Sequence, residues 1–552
     1  MLPLLAGLIG LILPAFGYFP PLGFHTPTLS GLADWLATAG LWPALWRSFI
    51  LGMLAAGFSL FASFVLLVAA LSTGALHNTK WVRRLARLLG PLISLPHTTI
   101  AAALLFLLSP SGWLTRLISP HLTGWQRPPA DLGGMMFLPD ASGWGLVLGL
   151  MAKEIPFLLL ISISALASLP VRKLANAGLS LGYGQVASLV FLVLPPLYKQ
   201  IKLPFLAVLI YSLSVVDMAL ILGPSLPAPL AVLLFQLYQQ AELSQLIPAS
   251  AGALMLVGLC GFGVLCWVLL EKLAHLVFRT LAQQGHRRQS WDLLAKLLGL
   301  MCLVPMMLAS LGLLATIIWS FAARWRFPDA LPSAFGLRHW GRLDGLWQLF
   351  FQSLLIAVLA SLIALILTLL WLSKARPLWQ ERLFLVPLFL PQISFLLGLQ
   401  VWFSLFYLEG SLLAVIWVHM LFILPYMLLI LKPAHDAFDQ RYMQIAASLG
   451  ASNWRQNRAV KWPMMMPVLA SAFIIGVAVS AALYLPTLYV GAGRVETLTL
   501  EAVSRASGGG RGPLAVIAFL QMLMPILVYI LVRSILAWRT RPFSEMRGGV
   551  DI

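Results

Sequence analysis

Three ionisable side chains lie inside long apolar segments of this sequence. Lys153 and Glu154 are neighbours in one segment, and Asp217 lies in a later one. Ionisable groups are costly in an apolar medium, so such residues usually contact a polar solute, form a gate or pair with one another. Adjacent helical residues point about 100° apart, so Lys153 and Glu154 face different neighbours. The sequence leaves two interpretations open: a solute pathway, or a structural pair such as Asp217 with Lys153.

A metal site is not indicated. His97 occupies the position that Gln392 has in a later repeat, and for a single histidine a contact between helices is favoured over metal ligation. The three cysteines, at 260, 266 and 302, lie in apolar runs without a CxxC pair, which argues against a zinc site or a disulfide framework.

Two loops share a spacing of small residues and prolines. In each loop a glycine follows the first position by six residues and a proline follows it by nineteen. Alanine and leucine after the first position favour a helix, the glycine can supply a left-handed turn, and the proline breaks or restarts a second helix. The first loop contains Asn176, Ala177, Gly178, Gly182, Leu194 and Pro195, and the second contains Gln444, Ile445, Ala446, Gly450, Val460 and Pro463.

The elements that position these residues are apolar and long. Of the 552 residues, 60% are hydrophobic and 10% are charged, well below the roughly 25% charged residues of soluble domains. A spanning helix needs about 20 apolar residues. Twelve runs qualify, so an all-α polytopic membrane protein is predicted, with runs at 2–19, 48–72, 89–110, 145–168, 203–223, 246–270, 295–320, 346–373, 382–405, 411–431, 464–486 and 513–537.

The basic residues predict the orientation of these runs. With both termini in the cytoplasm, 25 of the 36 Lys and Arg residues fall in cytoplasmic connections and 10 in periplasmic ones. This bias agrees with the rule that positive charge stays on the cytoplasmic side. The charges are scattered in short clusters rather than gathered on one face, so the net charge of +18 does not indicate nucleic-acid binding.

Internal repetition divides the chain into two similar halves. The stretch that begins with Leu45-Trp46 parallels the one that begins with Leu346-Trp347, and Leu95-Pro96-His97 parallels Leu390-Pro391-Gln392. Six helices followed by six helices in the same direction is a parallel duplication. The predicted organisation is a first half (1–270, with its loop at 170–200), a basic cytoplasmic linker (271–294) and a second half (295–552, with its loop at 432–463).

Because of these two loops, the sequence resembles the permease subunits of bacterial binding-protein-dependent ABC importers. Their cytoplasmic signature is E-A-A-x(3)-G-x(9)-I-x-L-P, and the resemblance covers nearly the whole chain. The chain resembles the fused kind, which joins both permeases in one polypeptide, and the thiamine and ferric-iron importers and a related uncharacterised group are similar. The resemblance implies an importer permease fold in each half and a bacterial inner-membrane location.

The resemblance also implies partners. Two ATP-binding cassette subunits would dock on the two loops, and a periplasmic solute-binding protein would dock on the opposite face. The Pro-rich segment 218–230 and the segment 487–512 are expected to form that second surface, or else to be plain connections. The chain would bind no cofactor itself, since ATP belongs to a separate subunit. Lys153, Glu154 and Asp217 become pathway candidates for a small polar solute such as thiamine or iron.

The chain lacks the acidic residue with which the signature begins. Asn176 and Gln444 occupy that position, Gly178 replaces the second alanine of the first loop, and Ile445 follows Gln444. A contact to the ATPase at this point would be a neutral hydrogen bond, roughly half as strong as a charge-assisted one. The departure puts the usual salt-bridge partner on the ATPase in question.

Other functional classes fit the sequence less well. No G-x-x-x-x-G-K-[ST] motif occurs, and the Gly-rich run from Gly508 to Arg511 lacks the Lys-Ser/Thr ending, so the chain is not expected to be an ATPase. A membrane-embedded enzyme would need clustered catalytic residues, which the sequence does not contain. The alternative is an ion-coupled secondary transporter with twelve helices, although Ser72–Arg87 lacks a major-facilitator signature and intramembrane acids are few.

Overall fold

A computed structural model describes most of the chain. The described residues are 2–20, 23–72, 92–129, 138–240, 245–283, 291–373, 378–508 and 510–544. The segment Ser72–Arg87, apart from Ser72, lies outside them, as do Gly509 and the middle of the predicted linker. The described residues at both ends of the predicted linker are helical. The domain boundaries at 271 and 294 stay a prediction.

The first half is built almost entirely from helices. In chain order they are α1 (Leu2–Ala15), α2 (Ser30–Leu36), α3 (Leu41–Ser72), α4 (His97–Leu108), α5 (Trp113–Ile118), α6 (Trp144–Leu166), α7 (Val171–Ser180), α8 (Gln185–Ser188), a π-helix (Leu189–Val193), α9 (Leu194–Ser214), α10 (Asp217–Leu222), α11 (Leu230–Tyr238) and α12 (Leu246–Gln283).

The second half repeats this order and adds a small hairpin. Its elements are α13 (Asp292–Cys302), α14 (Val304–Phe321), antiparallel strands β1 (Ala322–Arg324) and β2 (Ala334–Phe335), a 3₁₀ turn (Trp340–Arg342), α15 (Leu346–Leu372), α16 (Leu378–Phe384), a 3₁₀ turn (Val386–Leu388), α17 (Gln392–Leu405), α18 (Leu412–Asp436), α19 (Arg441–Ser448), α20 (Asn453–Gln456), a π-helix (Asn457–Lys461), α21 (Trp462–Ala482), α22 (Leu485–Gly491), α23 (Leu498–Ser507) and α24 (Arg511–Ser544).

The predicted membrane spans have helical counterparts. Among the described residues, ten helical segments are long and apolar enough to cross a membrane, and two shorter apolar helices lie at Leu5–Ala15 and Gln392–Phe403. The two shorter helices, which belong to α1 and α17, correspond to the first and ninth predicted runs. They pack against each other, so protein rather than lipid covers much of their length. The prediction of an all-α polytopic membrane fold is confirmed.

The duplication extends to local irregularities. The π-helices Leu189–Val193 and Asn457–Lys461 occupy equivalent places, and each is followed by a long helix with proline in its first turn. Proline has no N–H to donate and crowds the preceding turn, and a π-turn accommodates such a defect without ending the helix. The same proline pattern therefore produced the same deviation twice.

Two of the predicted spans are interrupted. The run at 203–223 breaks at Val215, where the backbone is extended, and α10 then begins at Asp217. Its counterpart breaks in the same way at Leu483, before α22. Non-helical backbone is tolerated at membrane depth only where protein surrounds it, and Val215, Val216 and Leu483 are all buried. Asp217 thus starts a short helix rather than lying within a continuous one.

The first helix of each half packs against the other half. Helix α1 lies along α17 of the second half, and α14 lies along α4 of the first half. The α1–α17 crossing is close because glycines meet there: a Cβ on Gly10 would clash with the carbonyl of Gly398, and a Cβ on Gly398 would clash with that of Gly7. The indole of Trp402 also donates to the Ala6 carbonyl at 2.7 Å. Small residues at helix crossings permit such close backbone approach.

A buried polar cluster joins the halves on the other side. The Gln521 side-chain amide donates to Thr499 Oγ1 at 2.8 Å, and its oxygen accepts from Thr99 Oγ1 at 2.8 Å. At the equivalent crossing, Ser394 donates to the Ala253 carbonyl at 2.9 Å. These side chains are almost fully buried, so their mutual hydrogen bonds offset the cost of removing them from water.

The α1–α17 crossing generates a test of the fold. We expect Gly398→Leu to destabilise the chain by about 1–3 kcal/mol or more, because the added side chain overpacks a glycine contact. Thermal unfolding in detergent measures the effect. Gly258→Leu is the control, since a Cβ at that exposed α12 position meets no atom within 4 Å. Equal melting temperatures for the two variants would contradict the packing of α1 against α17 of the other half.

Candidate coupling loops and polar pathway

The first repeated loop is a helix closed by a left-handed glycine. Helix α7 carries Asn176, Ala177 and Gly178, and Gly182 follows its end with φ of 85°. The Gly182 amide donates to the Leu179 carbonyl at 2.9 Å and the Tyr183 amide to the Gly178 carbonyl at 3.1 Å. These bonds satisfy carbonyls that the helix end would otherwise leave free. The predicted helix and left-handed turn are confirmed.

The second repeated loop has the same geometry. Helix α19 carries Gln444 and Ala446, and Gly450 has φ of 81°. Its amide donates to the Ala447 carbonyl at 2.9 Å, and the Ala451 amide donates to the Ala446 carbonyl at 3.1 Å. Between the two loops the structure describes five helical segments long enough to span a membrane and the shorter apolar α17. With all six crossing, as the predicted spans have it, both loops lie on the same face of the protein.

The structure explains one departure from the signature. Gly178 is buried where α7 packs on α8 and the π-helix, and a Cβ there would meet the Ser188 side chain and approach Leu192 to 3.0 Å. Ala446 has room at the equivalent position and is also buried. The close α7–α8 packing therefore requires glycine in the first loop, which spacing alone did not reveal.

The two residues that replace the acid face outward. Asn176 and Gln444 are exposed, and so are large apolar side chains beside them. Leu181 is 55% exposed in the first loop, and Leu449 is 82% exposed in the second. Exposed apolar patches framed by polar residues mark interaction surfaces. Of the remaining predicted residues, Leu194, Pro195 and Pro463 lie in the first turn of the following helix, whereas Val460 lies in the π-helix before it. Leu194 and Val460 are partly buried, and both prolines are exposed.

The first loop is attached to the end of α12 by aromatic contacts that the sequence did not reveal. The Tyr183 hydroxyl donates to the Ala282 carbonyl at 3.0 Å. The Phe191 ring lies 5.6 Å from that of Phe278 and 6.2 Å from that of Trp291. Phe278 and Trp291 belong to the predicted linker region, so the connection between the halves also supports the first loop.

The second loop is attached by charged groups instead. Lys461, in its π-helix, lies 2.9 Å from His435 Nε2 at the end of α18. Lys432, one turn earlier in α18, pairs with Glu381 of α16 at 3.1 Å and with Asp436 at 2.9 Å. This network joins the loop to two helices of its own half. Lys461 and His435 are 26 residues apart, and Lys432 and Glu381 lie on different helices, so spacing did not predict these two contacts.

Lys153 has a structural partner set. Its ammonium group donates to the carbonyls of Leu92 at 3.3 Å, Ile93 at 2.6 Å, and Leu95. These carbonyls precede Pro96, which lacks an amide proton, and the following helix does not reach them. The lysine thus anchors the start of α4 to α6. The predicted pair of Lys153 with Asp217 is wrong, because each side chain has a different partner.

Glu154 and Asp217 belong instead to one continuous polar cluster. His97 Nε2 lies 3.5 Å from Glu154 Oε1, and the His97 ring lies 4.7 Å from that of Tyr211. The Tyr211 hydroxyl donates to Asp217 Oδ1 at 3.3 Å. Both carboxylates are buried. The contacts with the His97 imidazole and the Tyr211 hydroxyl offset part of the free-energy cost of removing the two acids from water.

Tyrosines of the second half meet aromatic side chains of the first half. The Tyr484 ring lies 6.2 Å from that of Phe235. Further along, the Tyr238 and Tyr489 rings meet edge to face at 4.8 Å. Helix α10, which begins at Asp217, also contacts α23 of the second half, so Asp217 lies close to the boundary between the two halves.

The second half has a neutral polar cluster of its own. His419 lies 2.8 Å from Ser480 Oγ and 3.0 Å from Thr487 Oγ1, all three being buried. Leu485 holds the position that corresponds to Asp217, counting from the repeated loops. The described residues contain no group of three or more His, Cys, Asp or Glu side chains arranged to hold a metal ion.

Comparison with known proteins places this architecture among transporters. No protein-family model matches the chain. Over 489 residues it is 34% identical to the inner membrane ABC transporter permease protein YnjC of Escherichia coli (strain K12), a match covering 86% of this chain and 85% of YnjC. Over 181 residues it is 29% identical to the "Putative 2-aminoethylphosphonate transport system permease protein PhnV" of Salmonella typhimurium, covering 31% of this chain and 67% of PhnV.

The contacts of Lys153 generate a prediction about stability. We expect Lys153→Met to lower the free energy of unfolding by about 1–3 kcal/mol, because buried carbonyls lose their donor. Thermal unfolding of the purified chain measures this, with Lys202→Met as control, since Lys202 is a partly exposed lysine paired with Glu271. Unchanged stability of Lys153→Met would show that the anchor of α4 lies elsewhere.

Proposed function

This chain belongs to the family of inner-membrane ABC transporter permeases, and from that premise we propose that it supplies both halves of an ATP-driven importer. One observation carries the proposal. Two helix–turn units with the same hydrogen bonds and the same left-handed glycine occur at equivalent places in the two halves, on one face of the protein. Each unit is a rigid knob with an exposed apolar tip, which suits docking in a groove of a motor subunit.

The motor is proposed to be a pair of separate ATP-binding cassette subunits, one on each loop. The chain has no phosphate-binding motif of its own, so ATP would be bound by those subunits. The distribution of basic residues supports a cytoplasmic location for both loops and both termini. A solute-binding protein would then dock on the opposite, periplasmic face.

Two segments on the opposite face support the docking of a solute-binding protein there. The segment 218–230 consists of α10 and an irregular stretch whose Leu226 is 88% exposed, and the segment 487–512 consists largely of α22 and α23. They occupy equivalent places in the two halves, as two lobes of one bound protein would require. We propose them as its docking surface.

The solute pathway is proposed to run between the halves, past Glu154 and Asp217. The buried carboxylates and the tyrosines beside them offer hydrogen-bond acceptors and aromatic faces to a small polar solute. The pathway would be asymmetric, because the second half contributes neutral groups. Thiamine-like and iron-containing solutes remain candidates by analogy with similar permeases, and the binding protein would make the choice. Lys153 is proposed as a structural residue rather than a pathway residue.

Docking of the ATPases can be tested through the left-handed glycines. We expect Gly182→Trp combined with Gly450→Trp to release the ATPase, because a bulky residue at positive φ costs about 1–2 kcal/mol per site and reshapes the loop tip. The chain is purified from its native membrane and the copurifying proteins are quantified by mass spectrometry. About two ATPase copies per chain should copurify with the unaltered chain, and few should copurify with the double variant.

Gly493→Trp is the matched control for that experiment. Like Gly450, Gly493 has positive φ, of 72°, and a Cβ there meets no atom within 4 Å, but it lies on the opposite face. It should retain the ATPase. If the unaltered chain comes out alone, and vesicle uptake follows a proton or sodium gradient without ATP, the protein is a secondary transporter instead.

The pathway can be tested without knowing the solute. In a background with the three cysteines replaced by serine, we expect Asp217→Cys to react with a charged methanethiosulfonate reagent at a rate that changes between the nucleotide-free and ATP-bound complex. Alternating access predicts this, because the boundary between the halves opens to water in one state. Phe61→Cys, on the exposed outer surface of α3, is the control and should stay unreactive in lipid. A nucleotide-independent rate at position 217 would place the pathway elsewhere.

A further inference from the structure

Both repeated loops carry a basic side chain beside the position where the signature has an acid. Lys173 precedes Asn176 by three residues in α7, and Arg441 precedes Gln444 by three residues in α19. Residues three apart on a helix share a face. All four side chains are exposed. The same charge pattern thus occurs at equivalent places in both halves.

Few acidic residues lie near these basic groups. The segment 170–200 contains neither Asp nor Glu. In the second loop, Asp439 accepts a hydrogen bond from the backbone amide of Arg441 at 2.9 Å, and Asp436 is paired with Lys432. Within the described residues, Lys173 and Arg441 form no ion pair with a side chain. Further exposed arginines, at 172, 455 and 458, add to the same surface.

The preference for positive charge on the cytoplasmic side accounts for only part of this pattern. That preference concerns Lys and Arg, and acidic residues contribute little to it. It therefore gives no reason for neutral amides at 176 and 444. A glutamate at either position would lie within pairing distance of Lys173 or Arg441 on the same helix face and would withdraw that charge from a partner. Amides at both positions keep the two cations available.

We infer that the ATPase groove receiving these loops is acidic, with carboxylates facing Lys173 and Arg441, the reverse of the arrangement that an acidic signature residue implies. This inference rests on the proposed function, since it assumes that the loops dock on an ATPase. Exposed leucines at 179, 181 and 449 would supply the apolar part of the contact, and the cations would supply its selectivity.

The test measures how affinity for the ATPase depends on charge and salt. The purified chain in nanodiscs is titrated with its copurifying ATPase at 50 and 500 mM NaCl. Lys173→Glu combined with Arg441→Glu should weaken binding by about tenfold or more at low salt, with a smaller loss at high salt where charges are screened. Lys173→Gln with Arg441→Gln should give an intermediate loss. Asn176→Glu with Gln444→Glu should weaken binding several-fold, in the same salt-dependent way.

The control has the same change of charge on the opposite face. Arg324→Glu with Arg338→Glu alters two exposed arginines around the β1–β2 hairpin and should leave affinity unchanged. Size-exclusion profiles establish that every variant is folded.

Three outcomes would overturn the inference. Tighter binding by the 176 and 444 glutamate variant would mean that the groove is basic. Affinity independent of all these charges would mean an apolar contact only. If the variant Lys173→Glu with Arg441→Glu keeps its ATPase affinity but loses binding to anionic lipid vesicles, the two cations contact the membrane surface instead. Failure of the unaltered chain to bind any ATPase at either salt concentration is a separate result, which would refute the proposed function itself.

Discussion

The need to satisfy every backbone amide and carbonyl inside an apolar layer determines how this chain is built. Helices satisfy those groups locally, so most of the described chain is helical. Where a helix stops at membrane depth, as at Val215 and Leu483, other helices surround the break. Where proline removes an amide before α4, Lys153 supplies donors to the exposed carbonyls. The same constraint places Asp217 at the start of a short helix, beside the polar groups of two neighbouring helices.

A duplicated frame supports two chemically different halves. The helix order, the π-turns and the interrupted spans recur, because the same pattern of apolar residues and prolines recurs. The buried polar groups do not recur: Glu154 and Asp217 have carboxylates, whereas His419 and Thr487 form a neutral cluster. Packing of a helix depends on the shape and polarity of a whole face, which tolerates such substitutions. Duplication has therefore preserved the architecture while the polar chemistry of each half has diverged.

The loops show the same division between frame and chemistry. Their turns are alike because a left-handed glycine closes each helix, but aromatic rings hold the first loop and charged groups hold the second. The first loop contacts the connection between the halves, and the second contacts α18, which is itself paired with α16 of its own half. A displacement imposed on the two loops would thus pass into the spanning helices through different contacts, even though the loops present similar surfaces.

The sequence alone determined the features that depend on nearby residues. Apolar run length predicted the helices, equal spacing identified the paired loops, and glycine at 182 and 450 predicted the left-handed turns, since each depends on local backbone energetics. Tertiary structure decided the rest. The partners of Lys153 lie about 60 residues away, His97 meets Glu154 across two helices, and α1 packs on the opposite half. Such contacts depend on which helix faces meet, and helical periodicity leaves that choice open because many pairings bury similar apolar area.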